Sequence, residues 1–302
     1  LYFFYKLISI KYKSQLYPLL GVVFLFLSPR FFAESFYNSK DIFFLSLTII
    51  NMYFGISFIK NPNLKNTFAF ALSSAIAIDT RIMGIISVFI IFFMFILKSL
   101  RSNKFFKKNL IYVVYFLPIT FAFILIFWPY LWQDPINNFL FGFSQLLSAD
   151  FSMTSLYMGE FILSKNAPWH YPIVWIFITS PVIVMLLFVI GLFLSIRRAV
   201  LRLISVDENS KDIWRGENEM LDIYFVLMVI IPISLFINKG VAYDGWRLLY
   251  FIYPAIIMVA LSGIYHLNLY LKPRLFKIII YLLIILNLSY LAYWNYKFHP
   301  HQ

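Results

Sequence analysis

Nine apolar stretches, at about 15–28, 42–59, 67–79, 82–98, 110–128, 171–196, 221–237, 247–268 and 276–293, constrain this chain more than any other feature. An α-helix needs roughly 20 apolar residues to cross the hydrocarbon core of a bilayer. Within that core every backbone N–H and C=O must be satisfied inside the segment, which a helix achieves alone. The stretches therefore predict an all-α polytopic membrane protein of about nine transmembrane helices, with residues 1–10 as the stub of a further N-terminal helix. Of the 302 residues 62% are hydrophobic and 13% charged, against about 45–50% and about 25% in soluble domains. A water-soluble globular protein and a disordered chain are excluded. The chain has no cysteine, so a disulfide framework, a thiolate zinc site and an iron–sulfur cluster are excluded too.

The formal net charge of +12 would suggest nucleic acid in a soluble protein. Here its distribution points elsewhere, and no nucleic-acid partner is expected. If the stretches alternate in direction, 18 of the 25 basic residues and six acids, all between Asp207 and Asp222, fall on one side. The other side holds Arg30, Lys40, Arg81, Lys165, Lys239, Arg247 and Lys297 against seven acids. The whole excess then lies on one face, as expected where basic loops stay in the cytoplasm. The chain opens on Leu1 with neither an initiator Met nor the basic start of a signal peptide. It reads as a piece of a longer protein.

Residues 1–302 read as a single transmembrane domain with two sizeable loops. Residues 129–170 form the long outer loop. Within it Phe139, Phe143, Leu146 and Leu147 stand near helical spacing, which predicts an interfacial helix over about 138–147. Residues 203–222 form a polar cytoplasmic loop whose charges read as a solvated face. The stretches 67–79 and 82–98 meet at Thr80–Arg81 and form either a tight outer hairpin or a broken, re-entrant helix.

Charged groups at the membrane edge are costly unless paired or used, and four outer segments concentrate them. The first runs Ser28-Pro29-Arg30-Phe31-Phe32-Ala33-Glu34 through Tyr37-Asn38-Ser39-Lys40-Asp41. Asp41 abuts the next helix, where it serves either as an N-terminal cap or as a working carboxylate. The second is Asp79-Thr80-Arg81, an acid and base that either pair, snorkel to headgroups or hold a lipid phosphate in a bidentate fork. The third is Pro168-Trp169-His170-Tyr171-Pro172, which reads as an aromatic belt or as part of a site. The fourth is Lys239-Gly240-Val241-Ala242-Tyr243-Asp244-Gly245-Trp246-Arg247, rich in chemistry for a connecting loop. No glycine-rich phosphate loop and no HExxH motif occurs. The apolar stretches carry almost no charge at mid-membrane, which argues against a proton relay.

These segments, with Trp128-Pro129-Tyr130-Leu131-Trp132 and Tyr250-Phe251-Ile252-Tyr253-Pro254, resemble in their order the membrane-embedded GT-C glycosyltransferases. The likeness is to the protein O-mannosyltransferase-like and aminoarabinose-transferase-like members, and it spans nearly the whole chain. It implies a GT-C-like bundle and an inverting transferase that moves a sugar from a polyprenyl-phosphate donor to a protein, lipid or glycan acceptor. The reaction would face the outside of a bacterial plasma membrane. In such proteins the main catalytic acid lies in a first outer loop, which would precede Leu1.

Carried over residue by residue, the resemblance gives Asp41 the second-loop acid's role of positioning the acceptor or a divalent metal, with Glu34 beside it. Arg30, Lys40, Arg81 and Arg247 would meet the donor phosphate, while Glu34 and Asp244 orient those cations. Trp169, His170, Tyr243, Asp244 and Trp246 would line the sugar and prenyl groove. A transporter or flippase of lipid-linked sugars is the competing reading, and it would require a polar path through the bilayer. A non-catalytic membrane scaffold is the third.

Overall fold

The computed structural model describes residues 1–101, 103–147, 153–204, 216–239, 244–271 and 273–299. Tyr243 and residues 205–215 of the polar loop lie outside them. Helices α1 (Tyr2–Lys11), α2 (Leu16–Leu27), α3 (Pro29–Tyr37), α4 (Ser39–Lys60), α5 (Leu64–Thr80), α6 (Ile85–Arg101), α7 (Asn103–Phe127) and α8 (Pro135–Leu147) come first. A hairpin of β1 (Thr154–Tyr157) and β2 (Glu160–Leu163) follows, then α9 (Tyr171–Thr179), α10 (Val182–Ile204), α11 (Glu217–Lys239), α12 (Tyr253–Tyr270) and α13 (Arg274–Phe298). Seven of these helices are long and apolar enough to cross a membrane, or up to eight if the bent pair α2–α3 is one span. The chain is a helical, multi-pass membrane protein. Two of the nine apolar stretches form shorter helices, α2 with 12 residues and α5 with 17.

The described residues fall into two compact units. The first comprises Leu1–Ile42, Trp175–Val229 and Ile252–Gln302. Its core is α12, on whose span 89% of the residues are buried, whereas α13 is 11% buried. The α10 and α12 backbones touch because Gly191 and Gly263 face each other. A Cβ on Gly191 would fall on the carbonyl of Val259, and one on Gly263 on that of Leu187. Small residues at such crossings allow close packing where lipid supplies no hydrophobic drive between helices. Asn268 adds polar ties, its Nδ2 donating to Tyr17 Oη at 3.3 Å and Tyr281 Oη at 2.7 Å.

The segment 28–41, expected as a connecting loop, is mostly helix. Pro29 sits at the first turn of α3, where its missing N–H costs nothing, and Ser28 is extended. Together they break the path by 63°. The carbonyl of Leu27 exposed by this elbow accepts from Asn295 Nδ2 at 3.2 Å.

The second unit comprises Phe43–Val174 and Ile230–Phe251. Here α4, α5 and α6 are joined by Asn51, which is fully buried. Its Nδ2 donates to Ser73 and Ser74 Oγ at 3.3 and 2.8 Å, and its Oδ1 accepts from Ser87 Oγ at 2.6 Å. Phe70 stacks on Phe58 and Phe116 at 5.7 and 4.7 Å between ring centroids. Between the two readings of 67–79 and 82–98, the structure has two full helices joined by a single turn. At Gly84 an added Cβ would meet the Ala77 carbonyl group at 2.7–2.9 Å, so the turn closes only on glycine.

The helix expected over about 138–147 is α8, and it starts three residues earlier. Asp134 caps it, accepting from the Asn137 N–H at 3.2 Å and from Asn137 Nδ2 at 2.7 Å, and Pro135 opens the helix. The hairpin departs from the all-α expectation. Its strands are antiparallel, in the register Thr154↔Leu163, Leu156↔Phe161, Ser155↔Ile162 and Tyr157↔Glu160. Met158 and Gly159 close it with φ of 51° and 89°, both in the left-handed region that a two-residue hairpin turn of the primed kind requires.

Candidate functional site

In the first unit, three consecutive stations along the α3–α4 junction bring two carboxylates under one amide. Asn38 ends α3 and caps α4: its carbonyl accepts the first helical N–H, from Ile42, and its Oδ1 accepts from Asp41 N–H at 3.1 Å. This is the geometry of an N-cap bonding the third helical residue. It leaves both hydrogens of the amide free to donate, and Nδ2 gives one to Glu34 Oε2 at 2.6 Å and one to Asp41 Oδ2 at 2.9 Å. Asp41 is 2% exposed and Glu34 6%. Asp41 therefore lies in the first turn of α4 without being its cap, which is Asn38. There the Asp41 carboxylate meets both the N-terminal end of α4 and an amide hydrogen of Asn38.

Around this acid pair the same elbow sets a cation and aromatics. The half-buried Arg30 guanidinium lies 5.9 Å from the ring of Trp175, within cation–π range. Phe31 stacks on the fully buried Tyr253 at 4.2 Å with 12° between the planes. Lys40 is exposed.

In the second unit the third and fourth charged segments come together. Asp244 and Gly245 both take left-handed backbone, φ 51° and 66°, a turn that Asp and Gly tolerate best. The Gly245 N–H donates to Tyr171 Oη at 3.2 Å, and Arg247 donates to Asp244 Oδ2 at 3.2 Å. Trp246 is fully buried, edge-on to Tyr250, so its indole packs beneath the turn instead of lining open space. Trp169 is 66% exposed.

Tyr157 of β1 completes this group. Its ring lies 4.9 Å from that of Tyr171, and its hydroxyl is 2.6 Å from His170 Nδ1. Burial, with Tyr171 beside it, holds the phenol above its ordinary value. The protonated phenol can donate this bond, with His170 Nδ1 as its acceptor. Arg81 and Asp79 sit half-buried at the end of α5, with the Arg81 backbone extended beyond the last helical turn.

Sequence reasoning missed a third constellation, in the first unit. Lys11 at the end of α1 forms a buried ion pair with Asp222, which also accepts from Ser262 Oγ at 2.7 Å. Arg198 of α10 reaches Asp222 Oδ2 at 3.5 Å and Glu219 Oε1 at 3.8 Å, and donates to His266 Nε2. A guanidinium cannot give up its proton, so His266 is neutral in this contact. Burial pushes the Tyr12 phenol, whose ring lies beside Lys11, up to about 12. Asp222 and Glu219 were expected on a solvated face of the polar loop. Instead they lie in the first two turns of α11 and are neutralised by cations from α1 and α10. Two cations balance two carboxylates, which makes this a brace between helices. Lys11 and Asp222 are 211 positions apart in the chain, and neither lies in a recognisable motif.

Among the described residues, no three His, Cys, Asp or Glu side chains converge in a way that could hold a metal ion. No family model matches the chain, and neither a curated protein nor a solved structure does. The functional reading rests on the residues themselves.

Proposed function

We propose that the chain is the membrane domain of a glycosyltransferase that moves a sugar from a polyprenyl-phosphate donor to an acceptor at the outer face of a bacterial plasma membrane. The observation that carries this reading is the Glu34–Asn38–Asp41 arrangement: two buried carboxylates held by one amide at the mouth of a helix, beside Arg30 and Lys40. Inverting transfer needs such groups. The acceptor hydroxyl oxygen attacks the anomeric carbon while the bond from that carbon to the phosphate oxygen breaks and its electron pair leaves with the phosphate. A carboxylate aligns the hydroxyl and takes its proton, and cations stabilise the departing phosphate.

Asp41 positions the acceptor, and Asn38 fixes the carboxylate that does so. Arg30 and Lys40 are the phosphate-binding cations of the same segment. Arg81 and Arg247 are assigned to donor phosphate, and Trp169, His170, Tyr243 and Asp244 to the sugar and prenyl groove, on the resemblance alone, while the buried Trp246 supports the turn from beneath. A hard divalent cation takes oxygen ligands of the carboxylate kind. The described residues offer it two at the α3–α4 junction, too few for a closed site, and no step here passes through a metal.

The test is Asp41→Asn in the full-length protein. The amide is isosteric and retains an oxygen to accept from Asn38, so expression and melting should stay close to the parent while transfer is lost. Unchanged transfer would remove Asp41 from the mechanism.

A further inference from the structure

The β1–β2 hairpin is built inside out. Cross-strand partners share a face, so Thr154, Leu156, Phe161 and Leu163 lie on one side and Ser155, Tyr157, Glu160 and Ile162 on the other. The second side packs inward through Tyr157, yet it carries the serine and the carboxylate. The first side points away from the protein, with Phe161 78% exposed and Leu156 and Leu163 also exposed. Met158 at the tip is exposed as well. A sheet with one face in water carries its polar residues on that face, and this one carries a phenylalanine and two leucines.

We infer that this apolar face is immersed in the headgroup and upper acyl-chain region of the leaflet at which α7 ends and α9 begins. The occupant follows from where the hairpin stands. Its inward residue Tyr157 rests on Tyr171, the first residue of α9, which opens the apolar stretch 171–196. Only seven residues separate Leu163 from Tyr171, three of them coiled in a 3-10 turn at Ser164–Asn166, so the end of β2 stays within about 20 Å of the start of α9. Exposed tryptophans, the usual anchors at a membrane–water interface, stand at both ends of the loop, Trp132 just after α7 and Trp169 just before α9. The apolar face bears no charge: Glu160 lies on the other side and Lys165 beyond the strand.

This arrangement ties the Tyr157–His170–Tyr171 group, and through Gly245 the Asp244–Arg247 turn, to the height of lipid headgroups. It does not depend on the chemistry of transfer.

The 302 residues contain no cysteine, so a single introduced thiol reports alone. Phe161→Cys and Glu160→Cys would each carry an environment-sensitive fluorophore in the protein reconstituted in lipid nanodiscs. At 161 the emission should shift to the blue and be quenched by lipids bearing a nitroxide high on the acyl chain, with little quenching by aqueous iodide. At 160 it should lie further to the red and be quenched by iodide. Leu156→Cys should repeat the behaviour of 161. Iodide quenching at 161 and 156 would put the face in water and overturn the inference. Protection there from both quenchers would mean that a protein surface covers the face, and equal behaviour at 160 and 161 would deny immersion of one face. Either result overturns it too.

Discussion

If Asn38 holds the acid pair, replacing it should have graded and pH-dependent effects. In Asn38→Ala, the cap on Asp41 N–H is lost, at about 1 kcal/mol. Two hydrogen bonds to buried carboxylates, at 2.6 and 2.9 Å, go with it, each about 1.5–3 kcal/mol when the acceptor is charged. These terms overlap in one network and are not additive, so the net loss should be about 3–5 kcal/mol, a drop in Tm on the order of 10 °C. Asn38→Asp keeps an oxygen to cap α4 but replaces the donating NH2 with a third carboxylate. At neutral pH it should melt below Asn38→Ala despite its better cap. As pH falls, the folded Asn38→Asp protein takes up a proton that the unfolded chain does not, so its stability rises. Asn38→Ala, which leaves two carboxylates together instead of three, should recover less. The assay is thermal unfolding in detergent, followed by tryptophan fluorescence, at neutral and mildly acidic pH. Asn38→Asp melting with Asn38→Ala at neutral pH, or failing to recover on acidification, would refute the bridging role of the amide.

Lys11→Met should cost about 3 kcal/mol, the low end for breaking a buried ion pair, because Asp222 keeps Ser262 and Arg198 as partners. Lys11→Met combined with Asp222→Leu should be more stable than Lys11→Met alone, and additive losses in the same melting assay would contradict the pairing. Gly191→Ala should lose about 3 kcal/mol or more, the upper end for overpacking, since its Cβ would meet backbone and not a side chain that can swing away. Gly159→Ala, with open space but φ of 89°, should cost only about 1–2 kcal/mol of strain. Equal melting of the two alanine variants would show that the α10–α12 contact is looser than described.

What the sequence could disclose was local. Long apolar runs of fixed length predict spanning helices because the bilayer imposes that length, and seven of the nine runs became helices long enough to cross. The α2–α3 elbow was read as a loop because Pro29 in a charged, aromatic segment looks like a break, whereas at the first helical position proline starts a helix. The hairpin was hidden because Met158-Gly159 is an unusual turn pair and its strands reverse the ordinary alternation of polar and apolar faces. At the candidate site, Glu34 and Asp41 could be named from their segment, but not Asn38, whose role depends on one side chain serving as cap and double donor at once. Tyr157 and Tyr171 likewise gain meaning only when the hairpin folds back on α9. The Lys11–Asp222–Arg198–His266 brace joins four helices across most of the chain, and no spacing rule connects residues so far apart.

The most direct measurement follows a radiolabelled polyprenyl-phosphate sugar in proteoliposomes holding the full-length protein. The account predicts that the donor is consumed and its label appears in an acceptor, and that Asp41→Asn stops this without loss of folded protein. Intact donor crossing to the opposite leaflet, with no label transferred, would contradict it and identify a transporter.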